Sequence, residues 1–99
     1  MIVVRNTFRL KFGQARPAIA AFKEILALNA RLGVGAKNRL LTDLTGPSYT
    51  LVFEMEFASL GDWENQSMKI MGSEEWRATY DRFIPHAEGG SREIFNVVA

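Results

Sequence analysis

The chain has 99 residues, 47% of them hydrophobic and 23% charged, the proportions of one globular domain spanning 1–99. Twelve Lys and Arg against eleven Asp and Glu leave a formal charge of +1, so there is no basic surplus to hold a nucleic-acid backbone. With no cysteine and one histidine, His86, the composition excludes disulfides, thiolate nucleophiles, zinc fingers, iron–sulfur ligation and any site built on two imidazoles of one chain.

Residues 2 to 12 alternate. Ile2, Val4, Phe8, Leu10 and Phe12 fall on one parity and Arg5, Thr7, Arg9 and Lys11 on the other, which predicts a half-buried strand. Asn6 interrupts the apolar parity. Gly13 and Gln14 break the strand, and Pro17 suits a first helical turn. Ala18, Ile19, Phe22, Ile25, Leu26 and Leu32 then recur at helical spacing, predicting an amphipathic helix over Ala15–Leu32 with Gly33 as its stop. A weaker strand is expected over 38–45, carrying Leu40, Leu41 and Leu44. Gly46, Pro47 and Ser48 form a turn, and a strict alternation follows from Tyr49 to Phe57. Ser59 with Asp62 reads as a helix cap, and Leu60, Trp63, Ile70 and Met71 keep helical spacing until Gly72 and Ser73 interrupt it. Ser73 caps a second segment whose face is Trp76, Tyr80, Phe83 and Ile84, closed by Pro85. After Gly89 and Gly90, residues 92–98 read as a last short strand. The order β-α-β-β-α-β predicts an α+β, ferredoxin-like split βαβ fold: an antiparallel sheet with the helices on one face. No basic-then-apolar leader is seen from Met1 to Asn6 and no apolar run reaches membrane-spanning length, so a cytoplasmic protein without a membrane partner is expected.

In such a sheet the first and third strands are neighbours. The row Arg5, Thr7, Arg9, Lys11 then lies against Thr50, Val52, Glu54, Glu56, with opposite charges worth about 0.2–1 kcal/mol per cross-strand pair. This face either stays wet or meets a second copy of itself about a twofold axis. The charge pattern alone leaves both open.

Asn6 places an amide on the helix-facing side of its strand, where an unpaired polar group costs about 1–3 kcal/mol. It is satisfied by a neighbour, or lies at an open sheet end, or donates to a ligand oxygen in a cleft. His86, following Pro85, is a helix-exit residue or a general base, its intrinsic pKa of about 6.5 suiting proton abstraction from a phenol or quinol. Trp63, Trp76, Tyr80 and Phe83 form an aromatic stripe that packs the core or walls a pocket for a flat aromatic ligand. Met55, Met68 and Met71 could give that pocket an adaptable lining. The dinucleotide and phosphate-loop glycine patterns are missing, no metal site is expected, and Glu54 and Glu56 face the basic row, which favours salt bridging over hydrolysis.

Residues 44–54 across the hairpin, Trp63 and Trp76 on the split helix, and the closing run 88–95 resemble the dimeric α+β barrel superfamily, and within it most of all the NIPSNAP-like group. The resemblance covers nearly the whole chain and implies a homodimer formed through the charged sheet face. Members include cofactor-free monooxygenases of aromatic substrates, haem-degrading proteins and domains of no assigned activity. In the haem-degrading branch an asparagine of the first strand and a tryptophan early in the second helix accompany a histidine iron ligand. Asn6 and Trp63 match the first two, whereas Tyr80 stands in the histidine's place. The expectation is therefore a small-molecule-binding homodimer without a cofactor, acting as an oxygenase-like enzyme on an aromatic or quinone-like substrate. Asn6 would be the polar anchor, His86 or Tyr80 the proton handler, and Trp63, Trp76 and Phe83 the pocket walls. The alternatives are a non-catalytic binding or assembly domain, its cleft filled by side chains, and a haem-binding protein with Tyr80 as an unusual ligand.

Overall fold

Alternation in two strands and a 3.6-residue period in one long helix bury the same set of side chains. In the structure, a computed structural model describing residues 1–99, the elements are β1 (Ile2–Leu10), α1 (Ala15–Leu32), β2 (Ala36–Thr42), β3 (Thr50–Phe57), α2 (Leu60–Met71), α3 (Glu74–Phe83), a 3₁₀ turn (Ile84–His86) and β4 (Ala87–Asn96). The sheet order is β2-β3-β1-β4 with every pairing antiparallel. This is the ferredoxin-like arrangement, its second helix split in two.

Ile2, Val4 and Leu10 of β1 and Leu51, Phe53, Met55 and Phe57 of β3 share one core with Ala18, Phe22 and Ile25 of α1. Phe22 lies at the centre, its ring centroid 5.5 Å from Phe8, 5.0 Å from Phe53 and 4.8 Å from Phe83. Such tilted and edge-on contacts suit the aromatic quadrupole. Gly33 ends α1 at φ 68°, its N–H returning to Ala30 and Asn29 carbonyls. The Oγ of Ser59 accepts from Asp62 N–H at 3.2 Å and that of Ser73 from Trp76 N–H at 3.1 Å, so the break at Gly72 and Ser73 divides two separately capped helices.

The far face of the sheet is ionic. Arg5 stands opposite Glu54 in the β1–β3 register, with Arg5 Nε donating to Glu54 Oε2 at 2.6 Å. Arg39 of β2 adds two hydrogen bonds to Glu54 Oε1, at 2.9 and 2.8 Å. Glu54 is only 6% exposed. Burial by itself would raise its pKa; the hydrogen bonds and charges of Arg39 and Arg5 outweigh burial and hold the carboxyl below the usual range.

All four strands differ in their bounds from the sequence expectation, β3 only in starting at Thr50 rather than Tyr49. β1 stops at Leu10, because Gln14 N–H closes on the Lys11 carbonyl and Gly13 turns the chain at φ 77°; Phe12 is left 82% exposed, edge-on to Tyr49. β2 occupies 36–42, so Leu44 lies outside it and is 97% exposed. β4 begins at Ala87 and runs through Gly89 and Gly90, which do not punctuate it. Gly90 pairs with Phe8, and a Cβ there would sit 3.0 Å from the Phe8 ring and 3.1 Å from the Thr7 carbonyl oxygen. The glycine makes room for Phe8. No helix is long and apolar enough to cross a membrane.

Candidate functional site

A cleft of about 990 Å³ opens between α2, α3 and the β1–β4 side of the sheet. Asn6, Trp63, Trp76, Tyr80 and Phe83 all line it. Its α2 wall contributes no buried residue and exposes Met68 and Met71. A single hydrogen bond, from Gly35 N–H to Gln66 Oε1 at 2.7 Å, ties that helix to the loop after α1.

Asn6 reaches the cleft because it keeps the helix-facing parity of β1 at a point where the core gives way to open space. Its cross-strand partner on β4 is Arg92, whose Nε donates to Asn6 Oδ1 at 2.8 Å. An arginine nitrogen can only donate, so the Asn6 amide orientation is decided: the carbonyl oxygen is engaged and the Nδ2 hydrogens remain for another acceptor. The Arg92 guanidinium also lies over the Trp63 ring, 5.2 Å from its centroid.

The opposite wall is held by a second asparagine. Trp76 Nε1 donates to Asn29 Oδ1 at 2.9 Å, and Asn29, fully buried on α1, directs its Nδ2 to the Met55 sulfur at 3.7 Å. The fixed Trp76 ring stacks on Tyr80, with centroids 5.2 Å apart and planes inclined by 14°. Burial pushes the Tyr80 phenol above its ordinary pKa, and the charge of Arg92 opposes that rise in part.

His86 does not join this group. It sits in the 3₁₀ turn, its Nδ1 2.9 Å from Gln14 Oε1 and its carbonyl accepting from Lys11 N–H, and it is not among the residues lining the cleft. His86 is therefore set apart from the cleft, its ring tying the turn that leads into β4 to Gln14 at the start of α1. Two contributors were missed, Asn29 and Arg92. Asn29 continues the spacing of Ala18, Phe22 and Ile25, so a polar residue on the apolar helical face was there to be noticed. Arg92 gave no such signal, since its meeting with Asn6 depends on the β1–β4 register. No cluster of three or more His, Cys, Asp or Glu side chains could hold a metal ion.

Solved structures share this architecture. A NIPSNAP family protein from Agrobacterium tumefaciens is 22% identical with a TM-score of 0.84, the match covering 96% of this chain and 90% of that one. The chain has the NIPSNAP-type fold. An uncharacterized NIPSNAP domain protein from Burkholderia xenovorans matches at 18% identity and TM-score 0.85, over 100% of this chain and 96% of that one. An antibiotic biosynthesis monooxygenase matches at 14% identity and TM-score 0.78, over the whole of both chains. At these identities the likeness to NIPSNAP and monooxygenase proteins is one of fold. No family model matches the sequence, and no curated protein does.

Proposed function

We propose that the cleft binds a flat aromatic or quinone-like small molecule through its aromatic walls and an acceptor oxygen held by Asn6. The observation that carries this reading is the coincidence, on one open cavity, of the Trp76–Tyr80 stack with an Asn6 amide whose donors are turned out by Arg92. Pockets of this kind, mostly apolar with a few placed polar groups, are the common form of small-molecule sites. A cleft of about 990 Å³ weighs against the alternative in which side chains fill the space.

As to chemistry, the residues favour donation over proton abstraction. Tyr80, its pKa raised, stays protonated at neutral pH and can hand a hydrogen bond or proton to an oxygen that gains charge. A cofactor-free, oxygenase-like reaction on a quinol is the enzymatic form of this proposal, with Tyr80 as proton handler and Asn6 as anchor; the monooxygenase of the same fold is its analogue. The protein acts as a homodimer in this reading. The ionic sheet face also carries two apolar pairs that the strand registers set opposite each other, Val3 with Phe95 and Leu41 with Val52, and Arg5 covers the Phe95 ring at 5.1 Å. Light scattering tests it: a monomer at high micromolar concentration removes the dimer.

Calorimetric titration with 1,4-naphthoquinone and oxygen uptake with the corresponding quinol test the site. Saturable binding lost in Asn6→Ala and Trp63→Leu supports it, and oxygen uptake lost in Tyr80→Phe supports catalysis. Absence of both binding and uptake returns the assembly reading. A Soret band with haemin that disappears in Tyr80→Phe speaks for haem ligation.

A further inference from the structure

The charge of the occupant follows from how Arg92 is employed. β4 projects it into the cleft through its pairing with Asn6, while Glu93, the next residue, pairs with Arg5 on the far face. Its guanidinium is aligned by two contacts, the Nε hydrogen bond to Asn6 Oδ1 and the Trp63 ring beneath it. Neither uses the terminal nitrogens. Arg92 takes part in none of the five ion pairs of the protein, which engage Arg5, Arg31, Lys37, Arg39 and Arg82. Nη1 and Nη2 are left as a planar pair of donors with full charge, held in direction at the wall of an aromatic cavity.

That pair has the spacing of the two oxygens of a carboxylate, the planar match for which arginine is suited and lysine is not. Glu64 and Glu88 also line the cleft, and neither lies within ion-pair distance of Arg92. They repel an anion from the rest of the wall, so an acidic group is accepted against Arg92 and nowhere else. We infer that the cleft selects an aromatic carboxylate, its ring on the Trp63 and Trp76 walls and its paired oxygens on Arg92 Nη1 and Nη2. This inference rests on the cleft being the binding site and adds the charge class of its occupant. Arg92 is then a specificity-determining residue, and the ring walls supply affinity shared by neutral and charged ligands.

The test uses two probes of nearly equal shape, 1-naphthoate and 1-naphthamide, titrated calorimetrically into the full chain and into Arg92→Gln. Arg92 is exposed on an edge strand, so the variant keeps the fold, as its circular dichroism and unfolding temperature verify. Naphthoate is expected to bind the native chain at least ten-fold more tightly than naphthamide. In Arg92→Gln the ratio should fall to about one, whatever affinity both probes lose together through Asn6 and the Trp63 wall that Arg92 touches. Equal binding of the two probes by the native chain, or a preference for naphthoate that survives Arg92→Gln, overturns the inference. If 1,4-naphthoquinone binds the same sample while naphthoate shows no advantage, the cleft reading stands and the carboxylate selection falls. If none of the three binds, both fall.

Discussion

Replacing Asn29 by Leu tests whether the buried amide supports the fold or only burdens it. The side chain is fully buried on α1, and its Oδ1 is the sole protein acceptor for Trp76 Nε1. Leucine has nearly the same volume, so little cavity forms, and the effect isolates the hydrogen bond. A buried donor left unpaired costs about 1–3 kcal/mol. Trp76 is half-buried and its freed N–H can turn partly toward the cleft, which places the expected loss near the middle, about 1.5–2 kcal/mol. The bond from Asn29 Nδ2 to the Met55 sulfur is long and weak and adds little. For a chain of this size a loss of 1 kcal/mol lowers the unfolding temperature by about 4–8 °C, so Asn29→Leu should unfold about 6–16 °C earlier. The double variant Asn29→Leu/Trp76→Phe removes both partners and should recover part of that loss, since no polar group is then stranded. Thermal unfolding followed by far-ultraviolet circular dichroism, with urea midpoints as a second measure, reads both. An Asn29→Leu protein as stable as the native chain, or a double variant that loses the sum of two independent deletions, refutes this reasoning.

The Glu54 carboxyl has a depressed pKa in the folded chain, so its stabilisation is complete above the ordinary value of 4.5 and is lost as pH falls through the lower folded value. Urea midpoints between pH 7 and pH 3 should show this loss, and Glu54→Gln should flatten it while costing about 1–2 kcal/mol at pH 7, a modest figure because Arg5 and Arg39 are 40% and 64% exposed. Tyr80 moves the other way: its folded pKa is raised, so stability is intact below pH 10 and declines as pH climbs beyond it. Tyrosinate absorbance should reveal a late-ionising group that is missing in Tyr80→Phe. Gly90→Ala forces a Cβ against the Phe8 ring and the Thr7 carbonyl and should destabilise by about 1–3 kcal/mol in chemical unfolding; a neutral result would mean that β4 yields at its edge without cost.

What could be read from the residues follows the physics of each element. β1 and β3 were legible because one face of each is buried, and a slip of one residue would invert every side chain. α1 was legible by its apolar stripe and its glycine stop. The ends of elements were not. Leu44 looked like a strand residue by hydrophobicity and lies almost bare in a loop, while Gly90 looked like a break and is a strand residue chosen for the bulk of its neighbour. Asn6 stood out as a polar residue within an alternating strand. Asn29 broke its helix pattern in the same manner but was masked by a longer and richer apolar repeat. Arg92 depended on a pairing 86 residues distant, which no local pattern encodes. His86 drew notice by residue type alone, and its place beside Gln14 and Lys11, away from the cleft, was set by a turn that no local pattern specified.

One wall of the cleft is almost detachable from the rest of the protein's stability. The helix that carries Trp63 buries nothing completely and is moored through Gln66, while the hydrophobic centre belongs to other segments. Substitutions along it should be tolerated by the scaffold and felt mainly by whatever occupies the cavity. A lineage built on this chain can therefore explore new occupants by varying a dozen contiguous positions, leaving the sheet that supports them untouched.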